Sequence, residues 1–255
     1  MNAPALTLTQ MRYVNKAFWR NPVSAFFTFA FPLMFLVIFT ALLGRDTIVV
    51  GGREVDLSTY YVAAMVSFSV ITATYNNIAT SLTFQRDLGV LKRTNGTPLP
   101  TGVYLAARVF HALLVSLLLV AITVAFGTVF YDSEVPTGAT LARLLAMLMI
   151  GAASFCALGF AVTAVIPNAD AAAPIVNATI LPLLFLSGIF IPIGDNAPDW
   201  LTWTARIFPV KPFADGVQAG FLGTAFHWSD ALVVGAWGIF GLIMAARYFS
   251  WEPRT

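Results

Sequence analysis

Val23-Ser24-Ala25-Phe26-Phe27-Thr28-Phe29-Ala30-Phe31-Pro32-Leu33-Met34-Phe35-Leu36-Val37-Ile38-Phe39-Thr40-Ala41-Leu42-Leu43 contains no charged residue between Arg20 and Arg45. A helix needs about 20 mostly apolar residues to cross the hydrocarbon of a bilayer. The stretch has that length. It is too long for the apolar core of a cleaved signal peptide, and Leu42-Leu43-Gly44-Arg45 is a poor small-residue cleavage site. It therefore reads as a first membrane span.

Further along the chain, charges bracket five more runs of the same kind, at 59–81, 105–130, 142–166, 173–193 and 229–249. A membrane barrel would show segments of about ten residues with alternating polarity. These runs are continuously apolar and about twice as long. The expected architecture is an all-α polytopic membrane protein with six transmembrane helices, forming one domain over residues 1–255. Trp228, Trp237, Tyr248 and Trp251 suit the aromatic belts at the membrane surfaces.

Composition agrees. Of 255 residues, 58% are hydrophobic and 10% charged, against about 25% charged in an ordinary soluble domain. Mean hydropathy is +0.81. So few charges cannot cover a water-facing surface, and disorder is excluded by the same numbers. The net charge of +2 gives no reason to expect nucleic acid. A single cysteine, Cys156, excludes an internal disulfide and a cysteine metal cluster.

Lysine and arginine set the expected orientation. With the N-terminus inside, nine basic residues are internal: Arg12, Lys16, Arg20, Arg86, Lys92, Arg93, Arg108, Arg247 and Arg254. Five are external: Arg45, Arg53, Arg143, Arg206 and Lys211. Both termini are thus placed in the cytoplasm. Asp46, Glu54, Asp56, Asp132, Glu134, Asp195, Asp199, Asp215 and Asp230 then face outward.

Three segments between the spans carry structure of their own. Residues 5–20 place Arg12, Lys16 and Arg20 on one helical face and Met11, Val14 and Phe18 on the other. That pattern predicts an amphipathic helix lying in the interface, its basic face toward anionic lipid. Residues 84–98 predict a short cytoplasmic helix, with Phe84, Leu88 and Leu91 on an apolar face and Arg86, Asp87, Lys92 and Arg93 among the charged remainder. Asn95-Gly96 and two prolines stop it. Two accounts fit: a solvated connector obeying the positive-inside rule, or a docking element for a soluble partner. Residues 194–228 hold Pro198, Pro209 and Pro212 with Trp200 and Trp203. No piece is long enough to cross, so this region predicts outer re-entrant or surface-lying helices; a folded external loop is the plainer account.

The middle thirds of the predicted spans lack Asp, Glu, Lys and Arg, which weighs against a proton-driven pump. A sodium-coupled carrier can use backbone carbonyls, yet no inverted repeat relates the two halves. An ion-coupled carrier or channel subunit is the alternative class. Uncharged polar groups do occur within the spans: Thr72, Thr74, Tyr75, Asn76 and Asn77 in the second, Asn177 and Thr179 in the fifth. Amides in hydrocarbon must find partners. Helix–helix adhesion is the simpler account. The sharper account makes Thr72, Tyr75, Asn76, Asn77 and Asn177 the lining of a path for amphiphilic cargo.

Catalysis within the chain is not expected. His111 and His227 lie near opposite surfaces and cannot form one metal or acid–base pair, and neither H-E-x-x-H nor G-x-S-x-G occurs. The three lysines follow Asn15, Leu91 and Val210, so there is no phosphate-binding G-x-x-x-x-G-K-[ST] loop. ATP-driven work must come from another polypeptide.

Together these segments resemble the six-span permease subunits of type-2 ABC exporters. In that family a coupling helix between spans two and three has an acidic-basic-acidic start, a glycine, and a leucine-rich turn ending in Thr-Pro-Leu. Gln85-Arg86-Asp87, Gly89, Leu91 and Thr97-Pro98-Leu99 occupy those places, with Gln85 replacing the first acid. The family's Leu-Ser-Gly-x-x-x-Pro run is matched at Leu186-Ser187-Gly188-Ile189-Phe190-Ile191-Pro192. Its Pro-x-Trp-Leu element is matched at Pro198-Asp199-Trp200-Leu201, and a proline turn follows at Phe208-Pro209-Val210-Lys211-Pro212. The resemblance spans nearly the whole chain.

It implies a permease without ATPase activity in a bacterial plasma membrane. Two permeases, identical or related, dock two ATP-binding subunits. Gln85, Arg86, Asp87, Gly89, Leu91, Lys92, Arg93 and Pro98 form the coupling contact. ATP and Mg2+ sit on the partner, and this chain holds no cofactor or metal. Family members export drugs, lipids, polysaccharides or ions. The uncharged polar lining and compact external part favour a small hydrophobic or amphiphilic cargo such as a drug, over a polysaccharide or glycolipid.

Overall fold

Leu57 to Asp87 form one helical run of 31 residues, and the rest of the bundle packs around it. The computed structural model describes residues 3–43, 46–50, 52–133, 135–193 and 197–252. Arg45, Glu134, Asp195 and Arg254, counted above in the charge balance, lie outside the described residues.

The elements are α1 (Ala3–Trp19), α2 (Pro22–Leu43), β1 (Thr47–Val50), β2 (Arg53–Asp56), α3 (Leu57–Ile71), a π-helical turn (Thr72–Asn76), α4 (Asn77–Asp87), α5 (Val90–Asn95), α6 (Thr101–Tyr131), α7 (Gly138–Val162), α8 (Ala169–Leu186), α9 (Asp199–Ile207), α10 (Val210–Leu222) and α11 (Trp228–Tyr248). Six helices among the described residues are long and apolar enough to cross a membrane: α2, the α3–α4 run, α6, α7, α8 and α11. The chain is a multi-pass, all-α membrane protein. Arg12 and Lys16 on α1 and Arg20 just after it are exposed, while Phe18 turns inward, 6.4 Å from the Phe29 ring.

Every residue of α3 except Thr59 is buried, which makes it the central span, packed against α2, α6, α7 and α10. In lipid, helix association depends on close van der Waals packing rather than on apolarity. Small residues supply it here. Ala63, Ala64, Ser67, Ser69 and Ala73 are fully buried on the central run. Gly127 of α6 sits so close that a Cβ there would lie 2.6 Å from a Val62 methyl. The tightest outer pairing is α7 with α11, where a Cβ on Gly241 would lie 2.9 Å from the Ala157 carbonyl carbon.

Several boundaries differ from the sequence reading. The fifth span stops at Leu186, not residue 193. Gly188 turns the chain at φ +84°, and the following backbone is held from α3: Tyr60 donates its hydroxyl to the Gly188 carbonyl at 2.5 Å, and Tyr61 to that of Phe190 at 3.3 Å. The fourth span stops at Val162, not 166. The predicted helix at 84–98 is two pieces. The second span continues to Asp87, the chain bends at Leu88-Gly89, and α5 covers only 90–95. Gly89 adopts φ +70°, a left-handed conformation that ends one helix before the next begins.

The sequence reading also missed a hairpin. β1 pairs antiparallel with β2, Val50 opposite Arg53. Gly51-Gly52 between Ile48-Val49-Val50 and Arg53-Glu54-Val55 is the signal for such a turn. Arg53 Nη1 then donates to the Gly223 carbonyl at 2.7 Å, tying the hairpin to the end of α10. The described residues of 197–227 contain two helices, α9 of 9 residues and α10 of 13. Neither is long enough to span, at about 1.5 Å rise per residue. α10 is almost wholly buried, while Trp200 and Trp203 of α9 are exposed.

Candidate functional site

At Asn77 the helical ladder of the second span slips by one residue: its N–H donates to the carbonyl of Thr72, five positions back. Threonine side chains crowd this ladder. Thr72 Oγ1 donates to the Phe68 carbonyl at 2.9 Å and Thr74 Oγ1 to that of Val70 at 2.6 Å, offering the backbone alternative partners. On the other side Gly159 of α7 lets the widened turn approach, since a Cβ there would lie 2.9 Å from the Tyr75 carbonyl oxygen. In an uninterrupted α-helix Thr72 and Asn76 share a face and Asn77 turns away. The extra residue in the turn brings all three to one side. Such π turns recur at functional sites.

That side is a cavity of about 940 Å3, lined by Thr72, Asn76, Asn77 and, from α8, Asn177. It is large enough for a drug-sized molecule. Tyr75, the fifth predicted lining residue, does not belong to this wall. It is buried, and its hydroxyl shares a 2.7 Å hydrogen bond with Thr179 Oγ1, joining the second span to the fifth.

Sequence reasoning missed the rest of the lining. One wall is aromatic: Phe27, Phe31 and Phe35 of α2, Phe68 of α3 and Phe190 beyond α8. The rings of Phe35, Phe68 and Phe190 lie 5.6–5.8 Å apart. Phe27, Phe31, Phe35 and Phe39 recur every four residues, which puts them on one helical face; that spacing was the available signal.

At the end nearer the α4–α5 turn the lining becomes polar, with Gln85, Arg108 and His111. Arg108 donates from Nη2 to Gln85 Oε1 and to the Tyr104 hydroxyl at 3.1 Å, and from Nη1 to Ser81 Oγ at 3.2 Å. Its guanidinium also lies 5.3 Å from the Tyr104 ring centre. All these partners are neutral, and among the described residues no Asp or Glu lines the cavity. Arg108 Nε and His111 Nε2 are enclosed without a hydrogen-bond partner among the described residues.

The residues expected to dock a partner divide on structural grounds. Arg86 is only 2% exposed. Its guanidinium donates to the carbonyls of Thr163 at 3.0 Å, Ile166 at 2.7 Å and Pro167 at 3.1 Å. Asp87 accepts from the Ala169 N–H at 2.5 Å. The cation thus meets the carbonyl-rich end of α7, and the anion the amide-rich start of α8, each matched to the local helix dipole. Asn168 completes the start of α8 by accepting from the Ala171 N–H at 2.9 Å. Arg86 is therefore an internal clamp rather than part of a charged outer face. Gln85 is engaged with Arg108, and Leu91 is fully buried beside Leu82 and Tyr104. Lys92, Arg93 and Pro98 remain exposed, and Gly89 partly so. Lys92 lies 3.3 Å from Glu252, and Trp251 packs on Tyr104 at 5.8 Å.

Among the described residues no three His, Cys, Asp or Glu side chains cluster as metal ligands.

Residues 6–222 match the ABC-2 type transporter family, and the chain belongs to it. It is similar to "Putative transport permease ycf38" of Porphyra purpurea, 23% identical over 222 residues, which cover 86% of this chain and 75% of the relative. It is also similar to "Putative transport permease YvfS" of Bacillus subtilis (strain 168), 22% identical over 226 residues, 89% of each chain. The protein is a membrane transporter permease subunit, of a family that works with ABC ATP-binding subunits.

Proposed function

We propose that this chain forms the translocation path of an ATP-driven exporter for hydrophobic or amphiphilic molecules, drug-like or lipid-like. The observation that carries this reading is the cavity at the π turn. It joins an aromatic wall to uncharged amides beside a deformable stretch of the central span. Apolar pockets with a few placed polar groups are the usual form of a small-molecule site. The chain acts as a dimer in a bacterial plasma membrane with both termini in the cytoplasm. α1 lies in the inner interface and α9 with α10 forms the outer re-entrant region. ATP and Mg2+ belong to the separate ATP-binding subunit.

The test is to fill the cavity. Asn177→Trp, with Asn177→Ala as the smaller change, is reconstituted with the ATP-binding subunit and assayed for cargo-stimulated hydrolysis. The tryptophan variant is expected to lose most of the stimulation, about tenfold or more, while basal hydrolysis persists. Full stimulation in a correctly inserted tryptophan variant would overturn the reading.

Docking of the ATP-binding subunit falls to the exposed part of the α4–α5 turn: Leu88, Val90, Lys92 and Arg93. These present two apolar side chains beside two cations, and none is needed to close the bundle. Lys92→Glu with Arg93→Glu is expected to weaken co-purification of the partner by about tenfold, roughly 1.4 kcal/mol, with permease yield unchanged. Undiminished co-purification at equal yield would remove the assignment.

A further inference from the structure

We propose that the cavity selects amphiphiles with an oxyanion head, a carboxylate or phosphate, which meets Arg108 and His111 while the apolar part lies along the phenylalanine wall. The proposal rests on the cavity being the cargo path and narrows the class of cargo.

Charge is the first argument. Among the described residues, Arg108 and His111 are the only ionisable side chains lining the cavity. No acid faces them there, so the potential inside is positive. A cationic amphiphile would enter against it and an anionic one with it. Arg108 is half-buried in a membrane span and appears in none of the ion pairs among the described residues. A cation in that position is costly without an anionic partner. Gln85, Ser81 and Tyr104 supply dipoles but no compensating charge.

Unused donors are the second argument. Arg108 Nε has no acceptor among the described residues. His111 is 4% exposed and its Nε2 is likewise unpartnered. Buried polar atoms without partners are uncommon in folded proteins. The histidine sits one helical turn after the arginine on α6, three residues on, so both reach the same end of the cavity. With Nε2 carrying the proton, each residue holds a donor with no acceptor among the described residues. The Phe18 ring packs edge-on against His111 at 5.4 Å and helps to hold the imidazole in place.

Shape is the third. The polar pair lies at the end next to the α4–α5 turn, and the aromatic wall extends away from it along α2. A head at one end and a tail along the other is the arrangement an amphiphile requires.

The oxyanion can belong to a free amphiphile or to an anionic phospholipid of the surrounding leaflet. The full chain is placed in phosphatidylcholine nanodiscs and titrated with a dansyl-labelled undecanoic acid and with its methyl ester. The acid is expected to bind about tenfold more tightly. Arg108→Gln and His111→Phe should each erase most of that difference. Arg108→Lys and His111→Gln, which keep a charge or a donor, should restore part of it. Phe31→Ala should weaken acid and ester alike. Displacement of the acid by added phosphatidylglycerol identifies lipid as an occupant, and retention identifies a free amphiphile; either fits an oxyanion site. Equal binding of acid and ester, unchanged by the Arg108 and His111 variants, overturns the head-group assignment. In that case Asn177→Trp separates the two ideas: if it displaces both probes the cavity remains the path, and if it displaces neither the path assignment fails as well. No binding of the acid to the unmodified chain also overturns the proposal.

Discussion

Arg86→Gln is expected to reduce the yield of folded, membrane-inserted permease severely, with the loss visible as aggregation in size-exclusion profiles. Three carbonyls, of Thr163, Ile166 and Pro167, face this guanidinium. They belong to the connection between the fourth and fifth spans, where the α7 ladder has ended and offers no donors of its own. Leaving a buried polar group without a partner costs about 1–3 kcal/mol, and breaking one side of a buried charge pair about 3–5 kcal/mol. Asp87, 3.7 Å from Arg86 Nε, loses its adjacent cation as well. Arg86→Lys is expected to recover only part of the yield, because one ammonium cannot fork to three carbonyls. Lys92→Gln provides the comparison. Its side chain is 64% exposed, and exposed ion pairs contribute little, so yield should not change. Normal folding of the Arg86→Gln protein would show that the clamp is dispensable. The same geometry makes charge reversal at Arg86 and Asp87 unsuitable for probing contact with the ATP-binding subunit, since it disrupts the permease before any partner arrives.

Gly241→Leu should separate α11 from α7 and abolish a monodisperse product. A Cβ at this position would lie 2.9 Å from both the Ala157 carbonyl carbon and the Leu158 nitrogen. Those are backbone atoms of α7 and cannot rotate away. Overpacking ordinarily costs about 1–3 kcal/mol, and a whole leucine against backbone exceeds that range. Gly241→Ala should already lower the midpoint of thermal unfolding. Gly235 lies on the same helix, and a Cβ there would meet no described atom within 4 Å. Gly235→Ala should leave the midpoint unchanged or raise it, because glycine is the poorer helix former by about 1 kcal/mol. Equal behaviour of the two alanine variants would refute close backbone packing as the reason for Gly241.

The six crossings were legible because a bilayer core demands length and apolarity, and both are one-dimensional properties of the chain. The ends of the spans were less so. The fifth span read as continuing to Ile193 because Ile189, Phe190 and Ile191 are apolar. They leave the helix at Gly188 and are held by Tyr60 and Tyr61, contacts about 130 residues distant in sequence that no local pattern encodes. The reading of Thr72, Asn76, Asn77 and Asn177 as a shared lining rested on the cost of amides in hydrocarbon, and the structure brings these four to one cavity. Tyr75 had the same polar signal and a different destination, since the π turn rotates it toward Thr179.

Arg86 shows the limit most clearly. In sequence it is one of several cations in a short loop, indistinguishable from Lys92 and Arg93. Burial depends on which other loop lies beside it, and that is set by how the fourth and fifth spans pack against the second. The number of crossings, the lack of an ATP-binding loop and the family could all be read from residue order, because each follows from composition or from spacing along the chain. Which polar residues converge on a common space, and which charges stay inside, emerged only from the packed bundle. Those outcomes depend on helix rotation, on a one-residue slip in the hydrogen-bond ladder, and on contacts between segments far apart in the chain.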